Sequence, residues 1–349
     1  MADPQAGLKA FEPAHDYLVC IDSDGCTFDT MEVKHKYCFA IAVLQAFGLA
    51  ALAQILRDVW DFVNLYSKTR GCNRWLALRA TLQHLDDMTP YDRFKPFLQA
   101  HLEVINEFVK AADEVESIHL SNDGLLLFAA SKLQSPPAEL LVKCIVADPV
   151  TVAMSPMGRT IVGAGTDPES CLIRLIFWTH LVNGLVAVRV HDVPPFPYVP
   201  DSLEKLQPQA DMICVSATPF DALTREWEEH DISKFAALIC GQEQGKKAEH
   251  ICLASNGTLN GKGGVAEVGT AYAEGHVLMI GDAPGDMKAA RANDALFYPI
   301  NPGSETASWK RFHEEAASKF LNGDYAGDYE AALIAEFDTY LPEKPPWEG

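Results

Sequence analysis

Five short apolar runs, each followed by polar residues, constrain the fold of this 349-residue chain most strongly. Runs of this length are typical of strands that are buried on both faces of a parallel sheet. Helical patterns separate most of the runs, and strands that alternate with helices favour a doubly wound α/β sheet. The runs are YLVCI at 17–21, MICV at 212–215, AALIC at 236–240, VLMI at 277–280 and LFYPI at 296–300.

The first two runs are separated by a long region whose pattern is mainly helical. The helical pattern begins after position 30, and the region ends at a proline-rich stretch, VPPFPYVPDS, at 193–202. Dense prolines are typical of an irregular linker. Because the region is as long as a domain, we predict an α/β core domain formed by 1–30 and 206–349. A mainly helical cap or insert domain is predicted over 31–205.

The chain is strongly acidic, with 48 Asp and Glu residues against 28 Lys and Arg residues and a net charge of −20. A field of this sign disfavours nonspecific binding to nucleic acid and to anionic membrane surfaces, so we expect neither as a partner. An acidic excess is also typical of a solvated surface. If the substrate is an anion, local cations must overcome the field of the whole chain.

The nine cysteines are spread along the chain without a C-x-x-C pair. Several, such as Cys20 and Cys214, lie inside apolar runs, where a reduced thiol behaves as a small buried hydrophobic group. This favours a reducing compartment and argues against a disulfide framework or a zinc site. The N-terminus has no signal-peptide pattern, and no window approaches the roughly 18 uncharged apolar residues of a membrane span. We therefore expect a soluble, cytoplasmic protein.

Two carboxylates follow the first run, in the stretch CIDSDG. In open α/β sheets, ligands bind outside the carboxyl ends of the strands, so Asp22 and Asp24 are placed at the ligand-binding edge. In an extended stretch, residues two apart lie on the same side, so one carboxylate could attack while the other handles protons. A turn with aspartate caps is the alternative interpretation.

The second and third runs are followed by residues that suit an anion. The Ser216 hydroxyl and the free backbone N–H groups around Ala217 lie at a strand-to-helix junction, where they can hold a phosphate oxygen. An ordinary helix cap is the alternative. After the third run, GQEQGKK places Lys246 at the start of a predicted helix, where a lysine opposes the helix dipole and can meet an anion. A solvated surface lysine is the alternative there.

The fourth run is followed by GDAPGD, which places Asp282 and Asp286 four residues apart. At a strand end and the start of the next helix, these carboxylates could bind a hard divalent cation together with Asp22. Acidic capping of the helix is the alternative.

In this order, Asp-x-Asp, Ser, Lys and Gly-Asp-x-x-x-Asp resemble the four motifs of the haloacid dehalogenase (HAD) superfamily of phosphohydrolases. The resemblance covers about 15–30 and 211–300 of the chain. The continuation from Asp24 to Thr30 is similar to that of phosphoglycolate phosphatase and β-phosphoglucomutase. Those members carry a helical cap inserted after the first motif, which matches the helical pattern here.

The resemblance implies a role for each carboxylate. Asp22 is implied as the nucleophile that forms an aspartyl-phosphate, and Asp24 as the general acid/base. Asp282 and Asp286 are implied as the acidic Mg²⁺ motif, with Asp22 and the backbone carbonyl of Asp24 as further ligands. Members that act as dehalogenases lack an acid/base at the position of Asp24, because a halide leaving group needs no proton.

The resemblance also implies that Ser216 binds phosphate and that a lysine stabilises its charge. Many relatives have Gly-Lys-Pro where this chain has Gly245-Lys246-Lys247, so either lysine could serve. We favour Lys246 because it directly follows the glycine.

The cap is expected to select the substrate. The stretch KTRGCNRW at 68–75 is unusually basic for so acidic a chain, and arginine can clamp a second anionic group in bidentate fashion. We therefore predict that Arg70 and Arg74 bind substrate, with surface arginines at a helix start as the alternative.

The leading hypothesis from the sequence is a Mg²⁺-dependent phosphatase that acts on a small phosphorylated metabolite. One alternative is a phosphomutase, which differs in whether water or a substrate hydroxyl accepts the phosphoryl group. The other is a catalytically inactive binding protein that keeps the same fold.

Overall fold

The computed structural model describes residues 3–88, 92–133, 135–260 and 264–348. The chain divides into two compact units. The first unit consists of Met1–Met31, Tyr66–Arg70 and Asp192–Gly349, and the second consists of Glu32–Leu65 and Gly71–His191.

The first unit is built on a five-stranded parallel sheet, whose strands lie in the order β3 (Leu238–Cys240), β2 (Ala210–Val215), β1 (Tyr17–Ile21), β6 (Val277–Gly281) and β7 (Leu296–Pro299). Each of the five apolar runs forms a strand of this sheet, which confirms the predicted parallel α/β fold. The sequence pattern did not predict two further short strands, β4 and β5, which pair antiparallel with each other. The strands are β1 Tyr17–Ile21, β2 Ala210–Val215, β3 Leu238–Cys240, β4 Thr258–Asn260, β5 Gly264–Glu267, β6 Val277–Gly281 and β7 Leu296–Pro299.

Two separate hydrophobic clusters cover the two faces of the parallel sheet. Successive residues of a strand point to opposite faces, and Val19 and Ile21 belong to one cluster while Leu18 and Cys20 belong to the other. All four side chains are at most 1 % exposed. The central strand is therefore buried on both sides, which is why its sequence is continuously apolar.

The register of the central strands aligns their carboxyl ends. Ile21 at the end of β1 is opposite Cys214 of β2 on one side and Ile280 of β6 on the other. The chain therefore leaves all three strands at the same level, and the polar residues that follow them meet at one edge of the sheet.

Helices of the first unit flank the sheet and connect its strands. The helix Thr30–Lys34 crosses the chain boundary between the units, because Met31 ends the first segment of the first unit and Glu32 begins the second unit. The other α-helices are Ala6–Lys9, Val199–Leu206, Phe220–Glu229, Lys247–Ala254, Pro284–Arg291, Glu305–Arg311, Ala317–Leu321 and Asp328–Tyr340. A π-helical turn, Phe312–Ala316, and the 3₁₀ turns Ser233–Phe235, Gln242–Gln244 and Pro346–Glu348 complete the set.

The structure places the boundary after the helical insert earlier than the predicted 205/206. The backbone N–H of Phe196 donates to the carbonyl of Thr27 at 2.9 Å. Val199 and Leu203 are fully buried in one of the sheet's hydrophobic clusters. The segment from Asp192 therefore belongs to the first unit, and so does the short segment Tyr66–Arg70 inside the predicted cap.

In the described residues of the second unit, every regular element is a helix, which agrees with the prediction of a mainly helical domain. Trp60, Trp75 and Trp178 are fully buried, and the rings of Trp75 and Trp178 meet edge to face with centroids 5.1 Å apart. The elements are His35–Phe39, Ala40–Phe47, Ala50–Leu52, Ala53–Asn64, Arg74–Met88, Asp92–Phe94, Lys95–Glu114, Asn122–Ala130, Pro136–Ala147, Pro149–Met154, Pro156–Gly163 and Pro168–Arg189.

One helix of the described chain, Pro168–Arg189, is long and apolar enough to cross a membrane, which corrects the sequence-based expectation that no such window exists. Most of its apolar window is buried inside the protein. Leu172, Leu175 and Trp178 are among its fully buried side chains. The composition of this helix is thus what burial among other helices of the unit requires.

The packing of Trp309 generates a prediction about stability. Its indole is fully buried against Phe312, and its Nε1 donates to the Cys26 carbonyl at 2.7 Å. We expect Trp309→Ala to lower the free energy of unfolding by about 3–5 kcal/mol, because it leaves a large cavity and an unpaired carbonyl. Phe220→Ala, at a side chain that is 36 % exposed, should cost less than about 1 kcal/mol. Urea unfolding measures both, and equal losses would contradict the assignment of Trp309 to the core.

Candidate active site

A lysine joins two of the predicted carboxylates at the carboxyl edge of the sheet. Asp22 directly follows β1, and Asp286 lies in the first turn of the helix Pro284–Arg291. The ammonium of Lys247 lies 2.7 Å from Asp22 Oδ2 and 2.5 Å from Asp286 Oδ1. Both carboxylates are buried, at 4 % and 0 % exposure. The predicted first and fourth motifs therefore meet through a cation.

The structure corrects the choice between the two lysines. Lys246 is exposed and immediately precedes the helix Lys247–Ala254, so its side chain is not the one that meets the carboxylates. Lys247, which the sequence offered as the alternative, is the first residue of that helix and makes both ion pairs. Spacing from Gly245 could not decide this, because the direction of each side chain depends on where the helix begins.

Backbone geometry holds Asp286 in place. Its Oδ2 accepts the backbone N–H groups of Asp282 at 3.1 Å and Ala283 at 3.0 Å. Gly281 lies directly against this carboxylate, so that a Cβ atom at position 281 would collide with the Asp286 side chain. Asp286 therefore caps the helix Pro284–Arg291, which was the alternative interpretation, and it also pairs with Lys247.

Asp24 is held by two hydroxyl groups. Its Oδ2 lies 2.7 Å from Thr218 Oγ1, and its Oδ1 is hydrogen-bonded to Thr30 Oγ1. Sequence reasoning did not assign these partners, although Thr30 closes the family-like Asp24-to-Thr30 motif and Thr218 follows Ser216. A threonine hydroxyl can donate to an ionised carboxylate or accept from a protonated one. The pair can therefore hold Asp24 in either protonation state.

The residues after β2 adopt the expected strand-to-helix junction. Ser216 is 2 % exposed, and its Oγ accepts the backbone N–H of Thr218 at 3.2 Å. Ala217 is exposed, between Ser216 and the helix Phe220–Glu229. The roles of Ser216 and Ala217 in phosphate binding stay predictions.

The two arginines that were predicted to bind substrate belong to different units. Arg70 belongs to the first unit, and its guanidinium contacts Asp282 Oδ2 through Nε at 2.7 Å and Nη2 at 2.6 Å. Arg74 belongs to the second unit, where its Nη1 donates to Asn183 Oδ1 at 2.9 Å and lies 3.3 Å from the Thr179 hydroxyl. A contact between positions 70 and 282 has no local sequence signal, since the two are far apart in the chain.

Burial and neighbouring charges shift the pKa values of the cluster. Burial raises the pKa of Asp22 well above its ordinary range, and the neighbouring Asp286 and Asp282 raise it further, while Lys247 opposes the rise. Burial also raises the pKa of Asp282, against the effect of Arg70. Burial lowers the pKa of Lys247, but the charges of Asp22 and Asp286 outweigh this effect and leave it above its usual value. If all three carboxylates are ionised, three negative charges face the two cations Lys247 and Arg70, and the raised pKa values of Asp22 and Asp282 oppose this excess.

The donor set fits a divalent cation. Carboxylate oxygens of Asp22, Asp282 and Asp286 lie within 4.8 Å of one another. Asp282 Oδ1 is buried and has no hydrogen-bond partner among the residues that the structure describes. Carboxylate oxygens are the ligands that Mg²⁺ prefers, and a cation would supply the partner that this buried oxygen lacks.

Comparisons with known proteins find distant structural likenesses. No protein-family model matches the chain, and no curated protein matches it. A putative phosphoglycolate phosphatase from Lactobacillus delbrueckii subsp. bulgaricus is 14% identical with a TM-score of 0.40, covering 90% of this chain and 100% of that one. A 2-haloacid dehalogenase from Pseudomonas syringae pv. Tomato is 16% identical with a TM-score of 0.33, covering 82% and 87%.

A HAD-superfamily hydrolase from Geobacter sulfurreducens is 10% identical with a TM-score of 0.34, covering 83% of this chain and 90% of that chain. Likenesses this distant concern the fold at most. What the site can do follows from its own residues.

The ion pairs of Lys247 predict a difference between adjacent lysines. Lys247→Met would leave Asp22 and Asp286 buried without their shared cation, so we expect the free energy of unfolding to fall by about 3 kcal/mol. Lys246→Met removes an exposed side chain and should change it by less than about 0.5 kcal/mol. Urea unfolding in the presence of a chelator measures both, because no added cation can then replace the ammonium. Equal effects at the two positions would contradict the site geometry.

Proposed function

We propose that the chain is a Mg²⁺-dependent phosphatase of the HAD type, acting on a small phosphorylated metabolite through an aspartyl-phosphate. The observation that supports this best is the Lys247 ammonium between Asp22 and Asp286 at the carboxyl edge of the sheet. A carboxylate nucleophile and a phosphate monoester repel each other, and a fixed cation at the nucleophile reduces this repulsion.

Asp22 is the proposed nucleophile. One carboxylate oxygen attacks phosphorus in line, the bond from phosphorus to the leaving oxygen breaks, and its electron pair stays on that oxygen. The attack requires ionised Asp22, and Lys247 favours this state against the burial that raises the pKa of Asp22. The backbone N–H of Ser23 donates to Asp22 Oδ1 at 2.8 Å, which fixes the direction of the carboxylate.

Asp24 is the proposed general acid and base. In its protonated form it donates to the leaving oxygen, and in its ionised form it takes a proton from the water that attacks the aspartyl-phosphate. The Thr218 and Thr30 hydroxyls support this proposal, because they can pair with both forms. A proton donor at this position favours phosphoryl transfer over hydrolysis of a carbon–halogen bond, whose leaving halide needs no proton.

Ser216, the backbone N–H of Ala217 and Lys247 are the proposed ligands of the phosphate oxygens. Asp22, Asp282, Asp286 and the Asp24 carbonyl would hold Mg²⁺, and Asp286 also orients Lys247 and the backbone at Asp282. When bound, the metal ion supplies charge stabilisation to the phosphoryl group.

Substrate selection is proposed to involve Arg74 of the second unit. Its partners in the structure, Asn183, Thr179 and the ring of Phe39, are all uncharged. Arg74 has no carboxylate partner among the residues that the structure describes, and such a cation is suited to an anionic group on the substrate. A small soluble metabolite is consistent with the proposed cytoplasmic location and with the acidic surface, which disfavours nucleic acid.

The proposed function predicts a graded loss across three neighbouring carboxylates. With an aryl phosphate and Mg²⁺, Asp22→Asn should lower phosphate release at least about 10³-fold, because the amide cannot act as the nucleophile. Asp24→Asn should lower it about 10²–10⁴-fold by removing the acid/base. Asp29→Asn, in the same loop, is the matched control and should keep the rate within about threefold, since Asp29 is assigned no chemistry. Thermal unfolding confirms that each variant is folded.

Product analysis separates the alternatives. Release of phosphate at the same rate by the wild type and Asp22→Asn would overturn the proposal. Conversion of a sugar phosphate without free phosphate would favour a phosphomutase, and chloride release from a 2-chloro acid would favour a dehalogenase. The absence of both turnover and stabilisation by Mg²⁺ would favour a binding protein.

A further inference from the structure

A short segment of the chain, Tyr66–Arg70, belongs to the first unit although the residues on both sides of it belong to the second. The backbone N–H of Lys68 contacts the Pro342 carbonyl at 3.4 Å, and its ammonium pairs with Asp338. The segment ends at Arg70, whose side chain is only 2 % exposed. Arg70 is thus the point at which this segment enters the carboxylate cluster.

The Arg70 guanidinium occupies one oxygen of a proposed metal ligand. Nε and Nη2 both contact Asp282 Oδ2, at 2.7 and 2.6 Å, and Oδ1 of the same carboxylate has no hydrogen-bond partner in the described chain. This is not the parallel fork in which an arginine pairs with both oxygens of a carboxylate. The ion pair therefore neutralises the charge of Asp282 while leaving half of its hydrogen-bonding capacity unused.

The ion pair fits only because position 25, beside it, is a glycine and has no side chain. Gly25 has a φ of +76°, and a Cβ atom there would lie 2.6 Å from both Arg70 Nη2 and Asp282 Oδ2. The backbone of the first motif, between Asp24 and Cys26, thus lies directly against the guanidinium. A cation held by Asp22, Asp282 and Asp286 would share the Asp282 carboxylate with the Arg70 guanidinium, and two positive charges on one buried carboxylate repel each other.

We propose that Arg70 is a built-in competitor of the divalent cation at Asp282, so that a cation bound at the unpartnered Oδ1 weakens the Arg70–Asp282 ion pair at Oδ2 and loosens the segment Tyr66–Arg70. This inference rests on the proposed cation site, and it couples cation binding to the Arg70–Asp282 ion pair. Such coupling is reciprocal, so whatever weakens the ion pair strengthens cation binding.

Cation affinity tests the competition. Calorimetric titration with Mg²⁺, without substrate, should show that Arg70→Gln binds at least about tenfold more tightly than the wild type, which is within the usual range of coupling between sites. Lys68→Gln removes a cation from the same segment but not from the cluster, so it should stay within about twofold of the wild type. Arg70→Lys keeps the positive charge, and its affinity should lie between those of the wild type and Arg70→Gln, which keeps the test valid if the glutamine variant does not fold.

Hydrogen exchange tests the release of the segment. Saturating Mg²⁺ should speed amide exchange at positions 67–70 of the wild-type protein, because the ion pair that anchors Arg70 is weakened. Unchanged or weaker Mg²⁺ binding by Arg70→Gln, absence of Mg²⁺ binding by every variant, or unchanged exchange in the segment would each overturn the inference. Failure of the proposed phosphatase would show instead as phosphate release that is insensitive to Asp22→Asn, which is independent of these affinities.

Discussion

The contacts of one ammonium group with two buried carboxylates hold this site together. Lys247 pairs with Asp22 at the end of β1 and with Asp286 in the helix after β6, so three separate elements meet at one charge. Two buried carboxylates without a cation would be strongly destabilising. The lysine and both acids must therefore lie close together at the carboxyl edge of the sheet, and the parallel register of the strands places them there.

The acids and cations of the cluster are positioned by backbone as much as by side chains. The Asp286 carboxylate accepts two backbone N–H groups, and the absence of a side chain at Gly281 lets it approach the strand end. Gly25 allows the Arg70 guanidinium to lie against the first motif. The Asp286 carboxylate, fixed by backbone N–H groups, needs little reorganisation when a charged ligand arrives, which is the property that electrostatic catalysis requires.

The second unit has a different kind of core from the first unit, which is built around a sheet. Its core is formed by helices and by large aromatic side chains such as Trp60, Trp75 and Trp178. Its longest helix, Pro168–Arg189, is apolar enough to resemble a membrane span, although most of its apolar window is buried in the protein. The composition of an apolar helix does not distinguish a protein core from a membrane, because burial in either requires apolar side chains on all faces.

The sequence by itself determined the strands, the helical insert and the carboxylates of the site, because apolar runs, helical periodicity and short motifs are local properties. Tertiary structure alone decided the contacts between distant positions. It selected Lys247 over Lys246, paired Arg70 with Asp282, and brought Thr218 to Asp24. It also moved the end of the insert from 205 to 191, since burial of Val199 and Leu203 depends on what the folded chain packs against them. None of these contacts leaves a periodicity that a sequence pattern could reveal.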